Sequence, residues 1–202
     1  DRSPTRTDHL NGIVLIGCSI IIPFIVYGIV LAAHIPGEIG LIFRYGIASV
    51  FGAVALFLYP AYRLHGWPGT LASLSLTLVL FGLPLSGLWN SGTSVDSTVI
   101  GGLLPYSDAL RYLPGALNLL NGGELQEGAA SKPLFPGFVA FILLLTQENS
   151  QATLAIIVAV TAVATFVLTR EIQRSKGTAI AVFCLFLIFI YYRRFSGTYL
   201  TE

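Results

Sequence analysis

Apolar residues in this chain come in long unbroken runs, and the polar residues are gathered between them. The first run, Gly12 to Ala33, carries no charge, and about 20 apolar residues suffice for a helix to cross a bilayer core. A secretory signal peptide is the competing reading. Its apolar region would be shorter, about 7–15 residues, and would end at a small-residue cleavage site, so we read a retained span. Leu41 to Tyr62 is a second run with Arg44 near its start, and Pro68 to Trp89 a third. Ala152 to Leu168 and Gly177 to Tyr192 are the fourth and fifth. Short turns, His34–Gly40 and Arg63–Trp67, join the first three runs. Arg44 is expected to snorkel toward an interface, and Trp89 to anchor one.

Two segments break this pattern. Asn90 to Lys132 is a long polar interruption, and a loop of that length is uncommon unless it is functional or disordered. Within it Leu110, Leu113, Leu117 and Leu120 recur at helical spacing, which predicts an amphipathic helix lying on the membrane surface. Ser107 is its expected N-cap and Gly122-Gly123 its stop, while Pro114 should kink it or divide it in two. The second segment, Pro133 to Thr146, is apolar but too short for a span. It fits a re-entrant or interfacial helix.

Composition and charge sharpen the picture. Only 10% of the 202 residues are charged and 54% are hydrophobic, against about 25% charged in soluble domains; the mean hydropathy is +0.78. The expected fold is therefore an all-α integral membrane protein with about five transmembrane helices and two juxtamembrane helices in an external loop. The net charge of +1 is uninformative for such a chain. Membrane lipids are the expected surroundings, and no nucleic-acid partner is expected. Cys18 and Cys184 lie inside apolar runs, where a thiol packs as a small hydrophobe, and no His or Cys pair has zinc-ligand spacing. The chain has no methionine and stops soon after an apolar run; we expect it to be part of a longer polypeptide.

Basic residues orient the spans. With the N-terminus cytoplasmic and residues 133–146 not crossing, the cytoplasmic segments hold Arg2, Arg6, Arg63, Arg170, Arg174 and Lys176, as the positive-inside rule requires. Residues 90–151 then lie on the outer face, with a bacterial inner membrane the expected location. Arg193 and Arg194 fall outside against the rule, as an anion site would place them. One face thus collects Asp108, Arg111, Tyr112, Lys132, Arg193, Arg194 and Glu202. A carboxylate beside several cations at a lipid–water boundary suits sugar transfer from a lipid-phosphate carrier to a hydroxyl. The acceptor needs a base as it attacks, and the leaving phosphate needs positive charge aimed at its oxygens. One carboxylate and a basic cluster are sufficient for a direct, inverting displacement.

The stretches SDALRY, ALNLLNGGEL and SKPLFPGFVAFILLL resemble the first external loop of the GT-C family of polyprenyl-phosphate-dependent glycosyltransferases, which includes aminoarabinose transferases and protein O-mannosyltransferases. Asp108, Arg111 and Tyr112 match that loop's first motif in order and spacing, and Lys132-Pro133 its second. GTYLTE, ending at Glu202, resembles the further acidic motif of such enzymes. The resemblance implies Asp108 as catalytic base, Glu202 as a second acidic residue, and Lys132 facing the donor phosphate with Arg111, Tyr112, Arg193 and Arg194 around it. It implies a lipid-linked sugar donor. Ala109 stands where the family carries a second acid, so no metal ligand is assigned, and a divalent metal is left open.

On this reading residues 1–67 are a cytoplasmic tail and an added hairpin, and 68–202 are a GT-C-like module. That module comprises span 68–89, external loop 90–151, spans 152–168 and 177–192, and the start of a second loop at 193–202. The alternative is a non-catalytic multi-pass subunit or scaffold whose outer loop docks membrane-protein partners. A transporter fits less well, because the apolar runs carry few ionisable residues away from their ends.

Overall fold

The structure, a computed structural model, describes residues 6–33, 35–90, 109–125 and 127–198. These residues are all-helical, with no strand among them. Helix α1 spans Arg6–Ala32 and α2 Gly37–Tyr45. A segment built from α3 (Ile47–Ala53), a π-helical stretch (Val54–Leu58) and α4 (Tyr59–Arg63) leads to α5, Gly66–Asn90. Then follow α6 (Ala109–Leu120), α7 (Glu127–Ala130), α8 (Leu134–Leu145), α9 (Ser150–Lys176) and α10 (Thr178–Tyr192).

Among the described residues α5 and α9 are each long and apolar enough to cross a membrane. Residues 17–32 and α2, bent by 112°, make a third span if they are taken as one broken unit. Ile47–Arg63, α8 and α10 are apolar but shorter. The outward faces are apolar too: Ile21, Ile25, Phe51, Leu56, Val167 and Phe183 are all exposed, which is compatible with a lipid surround.

Helix α5 is the axis of the bundle. Its Leu78, Phe81 and Leu85 are fully buried in one core with Leu154, Val158 and Ala162 of α9 and Leu185 and Phe189 of α10. The Phe81 ring meets Phe189 edge-on at 5.2 Å and stacks on Tyr192 at 5.5 Å. Polar contacts define the two ends. At one, Tyr62 Oη pairs with Thr169 Oγ1 (2.7 Å) and Arg170 donates to Ser73 Oγ (2.9 Å). At the other, α2 crosses the last turns of α5 and meets the turn that follows α10. The long segments run alternately between these ends.

Three expectations change. The second apolar run, read as one span from Leu41 to Tyr62, is broken at Gly46, which is extended (φ −81°, ψ 109°). Its first part is α2, which already starts at Gly37 inside the expected turn and lies across α5. Small residues cause this. Gly40 and Gly87 touch backbone to backbone, and a Cβ at Gly87 would sit 2.7 Å from the Cα of Gly40, the close approach that apolar helices achieve through glycine. Farther on, the π-helical stretch sits just before Pro60; the wider turn relieves the clash of a proline ring with the carbonyl four residues back.

Of the two outcomes expected at Pro114, division does not occur, since α6 runs through it. The amide it lacks would have bonded the carbonyl of Leu110, in the helix's first turn, so a single bond is lost. Finally, α9 does not stop at Leu168 but carries the basic segment 169–176 as two further turns. Arg174 and Lys176 in its last turn face the negative end of the helix dipole, and Gly177 at φ 90° ends it.

The glycine contact generates a prediction. Gly40→Val or Gly87→Val should lower stability by about 1–3 kcal/mol through overpacking and make the segment between α1 and α3 accessible to protease. Gly52→Ala, where a Cβ meets nothing within 4 Å, should be neutral or stabilising by about 0.5–1 kcal/mol. Thermal unfolding in detergent with limited proteolysis checks both.

Candidate functional site

Helices α6, α7 and α8 form one small unit at the end of the bundle where α9 begins. Helix α6 stops in a Schellman turn: the Gly123 N–H donates to the Asn118 carbonyl (2.9 Å) and the Gly122 N–H to that of Leu119 (3.1 Å), with Gly122 at φ 74°. That closure satisfies the last carbonyls and turns the chain back under α6. Gly115 then lies against Ala129 and Leu125, where a Cβ would come within 2.9 Å of the Ala129 methyl. The turn after α8 places Gln147 and Glu148 at positive φ (53° and 61°). Asn149 caps α9 by accepting from the Ala152 N–H (3.0 Å).

Three of the predicted loop residues, Arg111, Tyr112 and Lys132, fall within this unit. Arg111 is exposed, its stem lying over Gly128, where an added Cβ would sit 2.6 Å from Arg111 Cδ. Tyr112 is only 2% exposed, and its ring packs edge-on against Phe135 at 5.5 Å. It therefore fastens α6 to α8. Lys132 is exposed, with its backbone N–H donating to the Ala129 carbonyl (3.2 Å). It stands at the rim of a cleft of about 510 Å³ whose other walls are Pro133, Leu134, Phe135 and Phe138. Helix α8 is apolar on both sides. Val139, Ile142 and Leu143 are buried, whereas Leu134, Phe141, Leu144 and Leu145 are exposed. Asp108, Ser107 and Glu202 lie outside the described residues; Asp108 immediately precedes the first residue of α6.

Arg193 and Arg194 are placed differently. Arg193 is 1% exposed and donates to the backbone carbonyls of Phe43 (3.2 Å) and Tyr45 (3.3 Å), the last turn of α2. Arg44 returns the contact. Its guanidinium donates to the carbonyls of Arg194 (2.8 Å), Ser196 (2.8 Å) and Arg193 (3.3 Å), in the turn that follows α10. Each arginine thus caps the C-terminal end of the other's helix, where unsatisfied carbonyls carry partial negative charge. Burial, and then the neighbouring Arg194, lower the Arg193 pKa from the ordinary arginine value, yet arginine stays charged in proteins.

The Arg194 side chain is exposed. Among the described residues no hydrogen bond or ion pair links either of these arginines to Arg111 or Lys132. One donor in the knot, Arg193 Nε, is buried without an acceptor.

Arg44, expected at an interface, is 3% exposed and central to this knot. The sequence signal was its position in an apolar run, since charge inside such a run is costly and functional or structural by default. Among the described residues no group of three or more His, Cys, Asp or Glu side chains is placed to hold a metal ion, and both cysteines are free. No known family, curated protein or solved structure matches the chain.

The reciprocal capping has a measurable signature. Arg44→Met and Arg193→Met should each destabilise the protein by about 3 kcal/mol by breaking buried charged contacts. The double variant should lose less than the sum, with about 1–3 kcal/mol of coupling. Arg194→Met should stay within about 0.5 kcal/mol of the parent. A double-mutant cycle on thermal unfolding in detergent reads all three.

Proposed function

We propose that this chain forms part of the catalytic machinery of an integral-membrane glycosyltransferase of the GT-C type, moving a sugar from a polyprenyl-phosphate carrier to a hydroxyl acceptor on the non-cytoplasmic face. The observation that carries this reading is the α6–α8 unit. It combines an exposed ammonium, Lys132, at the rim of an apolar cleft with a short apolar helix, α8, of 12 residues. An apolar cleft with a cation at its mouth suits a lipid tail and its phosphate. The 12-residue length, about 18 Å at 1.5 Å per residue, is well short of a span.

In this proposal five segments cross the membrane: α1, residues 47–63, α5, α9 and α10. The shorter two would be accommodated by local thinning of the bilayer, and α2 would rest at the outer surface. Arg63, Arg170, Arg174 and Lys176 then share the cytoplasmic end, in keeping with the positive-inside rule.

The chemistry follows from charge. The Asp108 carboxylate takes the proton of the acceptor hydroxyl as its oxygen attacks the anomeric carbon. The bond from that carbon to the phosphate oxygen breaks on the opposite face, and the phosphate leaves with the electron pair. Lys132 and Arg111 stabilise the charge that develops on it, and the product is inverted. Glu202 supplies a second carboxylate. Arg193 acts here by holding α2 and the turn after α10 together, which leaves Arg194 as the exposed guanidinium on that side.

A second reading has its own support. The buried Arg193 serves the fold, and broad apolar faces are exposed on residues 47–58 and on α8. Both suit a subunit or scaffold that packs against other membrane helices.

Asp108→Asn should leave folding and polyprenyl-phosphate affinity unchanged while lowering sugar transfer by about 10²–10⁴-fold. Lys132→Met should weaken polyprenyl-phosphate binding about tenfold, which is 1.4 kcal/mol. Transfer assays with a panel of polyprenyl-phosphate sugars, and binding of the sugar-free carrier in detergent, test the two separately. Unchanged turnover in Asp108→Asn removes that residue from the mechanism. Loss of complex assembly without loss of turnover identifies the scaffold.

A further inference from the structure

The opposite end of the bundle holds a second cavity, unrelated to the α6–α8 unit. It has a volume of about 540 Å³ and opens between the first turn of α5 and the last turns of α9. His65, Thr70, Phe166, Arg170, Gln173 and Arg174 are among the residues that line it. The Arg170 guanidinium is held rigidly at its wall. It lies over the rings of Tyr62 (4.9 Å) and Phe166 (5.5 Å) and donates to Gln173 Oε1 (2.7 Å) and Ser73 Oγ (2.9 Å). None of these partners is negatively charged. A guanidinium fixed in advance by neutral partners keeps its full charge for an incoming anion and loses little freedom on binding it.

Charge at this end is unbalanced. The described stretches 63–67 and 169–178 contain Arg63, Arg170, Arg174 and Lys176 against one acid, Glu171. Glu171 bonds Arg174 at 3.0 Å with the two side chains 69% and 79% exposed. Such a pair contributes roughly 0–1 kcal/mol, so a doubly hydrogen-bonding anion displaces it readily. Leu64, in the cavity wall, and the neighbouring Trp67 are exposed, an apolar margin along which an acyl chain would lie. A volume of a few hundred Å³ is the size of a small-molecule site.

We propose that this cavity binds a phosphate-bearing anion, with Arg170 and Arg174 on its oxygens and Thr70 and His65 as further hydrogen-bond partners. The rim favours the headgroup of an anionic phospholipid as its source, with a soluble phosphate compound as the other. The proposal is independent of sugar transfer at the other end.

The test uses the full chain. Native mass spectrometry of protein released from nanodiscs should show a retained phosphatidylglycerol but not phosphatidylcholine. Inorganic phosphate is titrated calorimetrically in lipid-free detergent as the second arm. Arg174→Gln and Thr70→Val should weaken binding, about tenfold for the arginine. Lys176→Gln, which removes the same charge outside the cavity, should leave it unchanged. Arg174 is exposed, so its loss does not threaten folding.

Retained lipid that depends on Arg174 identifies a headgroup site. Saturable phosphate binding without lipid retention supports the site with a soluble ligand. Absence of binding in both arms, or equal losses in Arg174→Gln and Lys176→Gln, overturns the proposal.

Discussion

The carbonyl groups at the ends of apolar helices are the constraint on which this fold turns. In a helix the last four carbonyls have no intrahelical donor, and a carbonyl buried without one costs free energy. Arg44 and Arg193 solve this reciprocally, each guanidinium turned onto the chain that ends the other's helix. Two positive charges are thereby buried together, and among the described residues no carboxylate bonds to either. They are held by backbone partial charges, which is why arginine, with five donors in a planar fork, serves where lysine would not. The knot ties residues 43–45 to residues 193–196, nearly 150 positions apart in the chain, and closes one end of the bundle.

Glycine makes that closure reachable. The Gly40–Gly87 contact lets α2 lie on α5, and the extended Gly46 redirects the chain into the segment that returns along the bundle. The same economy of side chains operates in the α6–α8 unit. There Gly115, Gly122 and Gly128 allow a helix, a reversal and the stem of Arg111 to occupy very little space. Helix α8 is short because it follows Pro133 and ends in a turn with two residues at positive φ. Its exposed apolar face then needs lipid or protein against it.

The two ends differ in chemistry. One is closed by arginines whose donors point at backbone, and at the same end the α6–α8 unit carries a cleft lined in part by Lys132. The other carries, in the described stretches 63–67 and 169–178, four bases and one acid, with a cavity whose wall holds hydroxyl and amide groups.

Composition and unbroken apolar runs were enough to establish an all-helical chain built for an apolar surround, because the length of such a run depends on nothing outside itself. The stop of α6 at Gly122-Gly123 and the shortness of the helix after Pro133 were legible for the same reason: each depends on neighbours a few residues away. What the runs did not reveal is which of them stay straight. Leu41 to Tyr62 reads as a single helix until Gly40 meets Gly87 and Arg44 meets the turn after α10, contacts with no local trace in the chain. The roles of the candidate residues divide along the same line. Arg111 and Lys132, placed by adjacent turns, are exposed, whereas Tyr112 and Arg193 are drawn inward by partners from other segments. Whether a polar side chain faces a ligand or the fold is decided by what packs against it, and only the tertiary structure supplies that.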